Sequence, residues 1–228
     1  MKKMSIHRLG RKTQSGFTLV EIAIVLVIIG LLLGGVLKGQ ELIENGRVKS
    51  AAAEFNGVTA ASTSYLDRYR KSPGDDNTPT LAQRGSAWTG MPLGDGNGRI
   101  NATNAQVFTG AAENDLFFRH LRAAGFLTGD ASGVGAAALP TNPWGGLTGV
   151  MGGTAVQGRP AIKNLVCMSR VPGKAAAALD SQLDDGKPDT GTLRATQAVA
   201  GANTAPTAAV VANGYNEDNV YTICRDLS

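Results

Sequence analysis

Phe17-Thr18-Leu19-Val20-Glu21-Ile22-Ala23-Ile24-Val25-Leu26-Val27-Ile28-Ile29-Gly30-Leu31-Leu32-Leu33-Gly34-Gly35-Val36-Leu37 is an apolar run broken by a single charge, Glu21. As an α-helix it spans ~31 Å, about one bilayer core. Residues 1–16, just before it, hold Lys2, Lys3, Arg8, Arg11 and Lys12 and no acid. Because Lys and Arg stay cytoplasmic, the run reads as one transmembrane segment with its N-terminus inside and everything after residue 40 outside. A cleaved secretory signal fits less well. Val36-Leu37-Lys38-Gly39-Gln40-Glu41 offers no small-x-small cleavage site, and the run is longer than a usual signal core. A plain signal anchor stays open at this point.

The composition agrees with a membrane device placed ahead of an ordinary domain. The chain has 228 residues, 43% of them hydrophobic, 18% charged and 5% aromatic, enough for a packed core and against disorder throughout. Glycine is 30 of 228, above the usual level of roughly 7%, which favours a loop-rich chain over an all-helical bundle. No period of three makes it collagen-like. The net charge of +4 comes from the basic start: without it, 17 positive residues stand against 18 negative. A nucleic-acid face is therefore not supported, and no basic and aromatic residues interleave as a single-strand binder needs.

The junction Ser15-Gly16-Phe17-Thr18-Leu19-Val20-Glu21, with a basic leader before it and an aliphatic run behind it, resembles the signal of type IV pilins and of the pseudopilins of type II secretion systems. The match covers roughly residues 1 to 45. The resemblance implies a leader, 1–16, removed by a prepilin peptidase between Gly16 and Phe17, with N-methylation of Phe17. It further implies a transmembrane and filament-core helix over 17–37, an amphipathic continuation over 38–70, and a globular head over 71–228. The expected fold is α+β and pilin-like, a long N-terminal helix on a small antiparallel sheet with long loops. The implied partners are other subunits in a helical filament, the peptidase, an inner-membrane assembly platform and, before assembly, the lipid bilayer.

Glu21 fits this reading physically, since a lone carboxylate in an apolar helix costs ~2.5 to 3.5 kcal/mol on insertion scales and marks a function or a partner. Cleavage would create an α-amino group that is cationic at neutral pH, and methylation keeps the charge. In the family this glutamate is thought to pair with the N-terminus of an adjacent subunit, so Phe17 and Glu21 are the assembly residues. Gly30, Gly34 and Gly35 admit two readings. Gly30-x-x-x-Gly34 has the spacing that lets helices approach closely, and each glycine weakens a helix by ~1 kcal/mol, so the cluster could equally mark a site of melting. Many relatives carry a proline where this chain has Lys38.

Beyond the membrane run, Leu42, Phe55, Val58, Tyr65, Leu66 and Tyr69 recur at helical spacings, and Ser72-Pro73-Gly74-Asp75-Asp76 ends the pattern. The predicted helix, about 17–70, is roughly 80 Å long, the ladle-like outline of pilins. Residues 73–112 read as a long ordered loop region. A short helix is predicted over Glu113–Ala124, closed by Gly125, and another over Lys174–Leu183. Strands are predicted at Ala161–Met168, Thr207–Ala212 and Asn219–Arg225, forming a small antiparallel sheet.

Two loops carry oxygen-rich side chains. Asp95-Gly96-Asn97-Gly98 resembles the middle of a calcium loop, with Asp95 and Asn97 as candidate ligands, but Leu93 and Asn104 stand where the first Asp and the bidentate Glu belong. A plain Asp/Asn/Gly turn competes with it. Asp184 and Asp185, in Leu183-Asp184-Asp185-Gly186, are a second calcium candidate or a turn. Cys167 and Cys224 both fall in predicted strands on the exported side, where oxidation is allowed, and no C-x-x-C pattern is present. They read as a structural disulfide worth ~4 kcal/mol on the loop-entropy model, resembling the C-terminal disulfide loop of many pilins, which most major pseudopilins lack.

Catalytic patterns are missing: no G-x-S-x-G, no H-E-x-x-H and no phosphate loop, and His120 is the one histidine after the leader. Asp75-Asp76 and Asp184-Asp185 sit adjacent in turns rather than facing each other as glycosidase acids must. The chain reads as a structural subunit of a type IV pilus, major or minor, and not an enzyme. A pseudopilin of a type II secretion system and a membrane-anchored exported binding module are the alternatives.

Overall fold

In the computed structural model the described residues are 16–152, 154–160, 164–209, 211 and 214–227. They divide into two compact units with the boundary between Ile43 and Glu44. Helix α1, Leu19–Tyr69, contributes to both, and each unit is described by itself.

The described residues of the first unit are helix from Leu19 onward, preceded by residues 16–18. Its start is capped locally: the Thr18 hydroxyl accepts from the Glu21 backbone N–H at 3.3 Å, and the Glu21 carboxylate accepts from the Thr18 N–H at 2.8 Å and its hydroxyl at 2.9 Å. This reciprocal pair is a capping box. No residue from 16 to 43 is buried. The richest stretch reaches a mean hydropathy of 2.8, so by length and composition the helix can cross a membrane.

The second unit begins where α1 acquires a buried stripe: Val48, Ala51, Ala52, Phe55, Val58, Ala61 and Tyr65. Their three- and four-residue spacing puts them on one face, and the alanines let that face approach its neighbours closely. Polar contacts fix the docking. Trp144 Nε1 donates to Glu44 at 2.7 Å, Thr148 Oγ1 to Glu54, and Arg225 Nη1 to Asn56 at 2.7 Å.

The sheet has four antiparallel strands, β1 (Thr148–Met151), β2 (Leu165–Pro172), β3 (Leu193–Ala198) and β4 (Val220–Asp226), in the order β1-β2-β4-β3. Cys167 lies directly opposite Cys224 in the β2–β4 register, and the two are joined by a disulfide. Helix α2, Glu113–Ala123, buries Leu116, Phe117, Phe118 and Leu121; helix α3, Gly173–Leu183, packs on β2, β3 and β4. Gly125, at φ +78°, closes α2, with Phe126 N–H returning to the Leu121 carbonyl at 2.9 Å. Gly149 is required for packing: a Cβ there would lie 1.8 Å from the Val107 carbonyl oxygen.

The fold class is α+β, as the sequence implies, and both short helices lie where they are predicted. The sheet departs in three places. The predicted strand Ala161–Met168 forms from Leu165 onward and runs on to Pro172, with residues 161–163 outside the described set. The predicted strand Thr207–Ala212 does not form among its described residues; Thr207 and Ala208 instead offer their carbonyls to the Gln157 and Gly158 N–H groups at 2.8 and 3.1 Å. Strands β1 and β3 occupy segments that sequence patterning leaves as loop.

The region 73–112 is ordered around a buried polar knot, with short 3-10 turns at Leu81–Arg84, Ser86–Trp88 and Asn104–Gln106. Asp76, fully buried, takes a 2.6 Å ion pair from Arg84 and a 2.8 Å hydrogen bond from the Tyr65 hydroxyl. His120, equally buried, accepts from the Gly74 N–H at Nδ1 (3.0 Å), which leaves its proton on Nε2, facing the Pro92 carbonyl at 3.4 Å. Burial pulls its pKa down to about 4.

Candidate functional site

Gly16, Phe17 and Glu21, the residues expected to serve processing and assembly, lie at the start of the described part of the first unit. A Cβ on Gly16 would meet nothing within 4 Å, and Phe17 is 84% exposed, so the peptide bond between them is open to a peptidase. Four residues after Phe17, the capping box holds the Glu21 carboxylate against the backbone of Thr18. The same carboxylate therefore sits beside the position where cleavage would leave an α-amino group. Here it accepts from the N–H and the hydroxyl of the N-cap residue Thr18.

Gly30, Gly34 and Gly35 lie within unbroken helix, and each has open space where a Cβ would go. The helix continues through Lys38, which pairs with Glu41 at 2.8 Å in an exposed i,i+3 contact of small energetic weight. Around these glycines Ile24, Leu26, Val27, Leu31, Leu32, Leu33 and Leu37 are all at least half exposed. Fully burying such side chains is worth ~1.5 to 3 kcal/mol each, so water is a poor medium for this surface.

The head holds two carboxylate groupings, and the structure redraws both candidate calcium sites. Asp95 is joined by Asp75 and Glu113, one carboxylate oxygen from each lying within 4.8 Å of the others. Asn97 serves the turn: its Nδ2 donates to Asp95 at 2.9 Å and its Oδ1 accepts from the Arg99 N–H at 2.9 Å. Asp75 accepts from the N–H groups of Gly96, Asn97 and Gly98 at 2.7, 2.9 and 2.7 Å, and Glu113 from those of Asp95 and Asn101 at 2.9 and 2.7 Å. Burial raises the pKa of Asp75 and of Glu113, and neighbouring Asp95 adds to both shifts. Three oxygen donors of this kind could hold a hard divalent cation such as calcium.

Asp184 and Asp185 are joined by Asp180, which is fully buried and accepts from the Tyr215 hydroxyl at 2.6 Å. Burial, helped by the two neighbouring carboxylates, pushes Asp180 up to about 6. Asp184 mainly organises backbone, accepting from the Thr192 and Leu193 N–H groups at 2.6 and 2.9 Å. Asp75, Glu113 and Asp180 are the residues a sequence window misses: the first two lie far from Asp95 along the chain, and Asp180 sits inside a helix.

Comparison with known proteins bears on the N-terminal segment. No curated protein matches the chain. Among solved structures it is similar to the major type IV pilin PilA1 from Clostridium difficile, at 14% identity and a TM-score of 0.36 over 81% of this chain and 96% of that one, too distant to carry an argument. Residues 11–37 match the family model described as the prokaryotic N-terminal methylation motif. Gly16, Phe17, the capped Glu21 and the apolar run as far as Leu37 all fall inside that match, so the chain carries a prokaryotic N-terminal methylation motif.

Proposed function

We propose that the chain is a structural subunit, a major or minor pilin, of a type IV pilus. It is cut between Gly16 and Phe17 by a prepilin peptidase and methylated on Phe17. The observation that carries this reading is the match of residues 11–37 to the methylation motif, whose part from Leu19 onward lies on a helix with its apolar side chains exposed. Lipid receives that surface first, with the N-terminus on the cytoplasmic side of the inner membrane. Like helices of other copies receive it next, when an assembly platform moves the subunit into an extracellular filament. Glu21 then exchanges its local donors, the Thr18 N–H and hydroxyl, for the methylated α-amino group of a neighbour. Residues 1–16 are the leader, 17–37 the membrane and filament-core helix, 38–70 its continuation and 71–228 the head. The disulfide within the head favours a pilin over a type II secretion pseudopilin.

The test is the intact mass of the chain in sheared extracellular filaments and in the cell envelope. The expected species begins at methylated Phe17, is lighter by two hydrogens for one disulfide, and is found in the filaments. The same species confined to the envelope would replace the pilin with a pseudopilin, and a chain still beginning at Met1 would overturn both.

A further inference from the structure

A cleft of about 500 Å³ opens on the head between Arg47, Trp144, Arg170 and the flanking Pro143, Pro172 and Val220. That volume lies within the usual range for small-molecule sites, roughly 300 to 1,000 Å³. Its walls are built more firmly than a surface crease needs. The turn carrying Trp144 is folded around Asn142, whose Oδ1 accepts from the N–H groups of Trp144 and Gly146 at 3.0 and 3.1 Å. The Asn142 Nδ2 donates to the carbonyl of Ser169 at 2.8 Å, and the Leu147 N–H donates to the Ser169 hydroxyl at 2.9 Å. That hydroxyl in turn donates to Asn203 Oδ1 at 2.8 Å, tying in the loop that brings Gly201 to the cleft. Ser169 is fully buried, so three walls meet at one closed joint.

The next residue carries the charge. Arg170 sits at the bulge of β2 with φ +61°, a left-handed conformation that a non-glycine residue adopts at a cost of about 1 kcal/mol or more. Its Nη1 is fixed on the Gly145 carbonyl at 2.9 Å, and among the described residues no carboxylate is within ion-pair distance of it. Trp144 is pinned by the 2.7 Å bond from its Nε1 to Glu44 Oε1, and the other oxygen of Glu44 faces Arg47 at 3.4 Å. Glu44 is thereby engaged with both Trp144 and Arg47, so Arg47 brings a partly neutralised guanidinium to the cleft, Arg170 brings one with no carboxylate partner among the described residues, and the half-buried Trp144 lines the cleft with them. Forked donors match a carboxylate or sulfate in two-point contact, and the indole offers a rigid apolar surface for the C–H face of a ring.

We propose that this cleft is a binding site for an acidic saccharide, a sugar ring bearing a carboxylate or sulfate, with Arg170 and Arg47 on the anion and Trp144 under the ring. The site is distinct from the N-terminal segment and does not depend on the subunit reading. The test uses the full chain in detergent micelles, titrated with sodium glucuronate or with glucose at constant ionic strength and followed by tryptophan emission. Trp88, 2% exposed, supplies a constant background. Saturable binding of glucuronate below about 1 mM is expected, with glucose at least about tenfold weaker and Arg170→Gln lowering glucuronate affinity about tenfold. Arg47→Gln, on an exposed helical surface, gives a second reading if the bulge does not tolerate change, and a weakening of several-fold is expected. The proposal is overturned by a linear response to glucuronate up to about 20 mM, by equal affinity for glucose, or by unchanged affinity in Arg47→Gln.

Discussion

Between Leu19 and Ile43 helix α1 buries nothing, and between Glu44 and Tyr69 the same helix buries Val48, Ala51, Ala52, Phe55, Val58, Ala61 and Tyr65. The backbone is alike in both; the side-chain pattern is not. From Ile22 to Leu37 the first region is apolar all round, a pattern that suits apolar surroundings. In the second, large residues alternate with alanine on one face, because that face must fit a particular set of neighbours at the density of a protein interior. One helix is thus written for two solvents, and truncating a side chain should have consequences that depend on which stretch contains it.

Phe55→Ala should have the largest effect, lowering the stability of the head by about 3 to 5 kcal/mol, since the ring is completely buried. Leu26→Ala, 64% exposed in the first region, should leave the head within about 0.5 kcal/mol of the parent. Denaturant unfolding of both full-length variants in micelles reads the contrast, and equal losses would erase it.

The second difference is in titration, because among the described residues the unit on which the second region packs has charge-bearing groups sealed in its core, His120 and Asp180, and the first unit has none. His120, lowered from 6.5 to about 4, contributes stability that is fully present above pH 6.5. That contribution, about 3 kcal/mol from the size of the shift, is lost as pH falls through about 4. Asp180, raised from 3.8 to about 6, acts in the opposite sense: its contribution is fully present below pH 3.8 and lost as pH rises through about 6. Following the His120 ring protons by NMR in the full chain should give a neutral imidazole at pH 5. A midpoint at 6 or above would mean that the ring is solvated.

The smallest effect concerns the start of the first region. Thr18→Ala removes one half of the capping box and should loosen the first helical turn by about 1 kcal/mol. Amide exchange at Leu19, Val20 and Glu21 should quicken severalfold while the thermal midpoint of the head stays unchanged. A shift of that midpoint would show the two regions to be energetically linked.

Much of this architecture is legible in the residues, and the exceptions share a cause. The long helix announces itself through an apolar run followed by a periodic stripe, and α2 through Leu116, Phe117 and Leu121 ahead of Gly125. Strand β1 is hidden because Thr148-Gly149-Val150-Met151 is short, follows a stretch of Pro and Gly, and contains a glycine chosen for its contact with Val107. Strand β3, Leu193-Arg194-Ala195-Thr196-Gln197-Ala198, has small and polar residues at buried positions and so little alternation to read. Thr207 to Val211 looks more like a strand, yet Thr207 and Ala208 make their bonds with Gln157 and Gly158, outside the sheet. The carboxylate groupings fail for the same reason at longer range: Asp75 and Glu113 meet Asp95 through loop folding, which no local spacing encodes.

The strand order has a consequence for the nascent chain. Residues 220–226 lie between β2 and β3, so both of those strands leave the ribosome without the partner that will separate and join them. Until Asp226 has been translated, β3 has no strand to pair with, and Cys167 has no thiol opposite it. Pairing across such a separation is slow compared with helix formation. The oxidation step that joins the two inner strands can therefore come only after the last strand of the sheet has arrived.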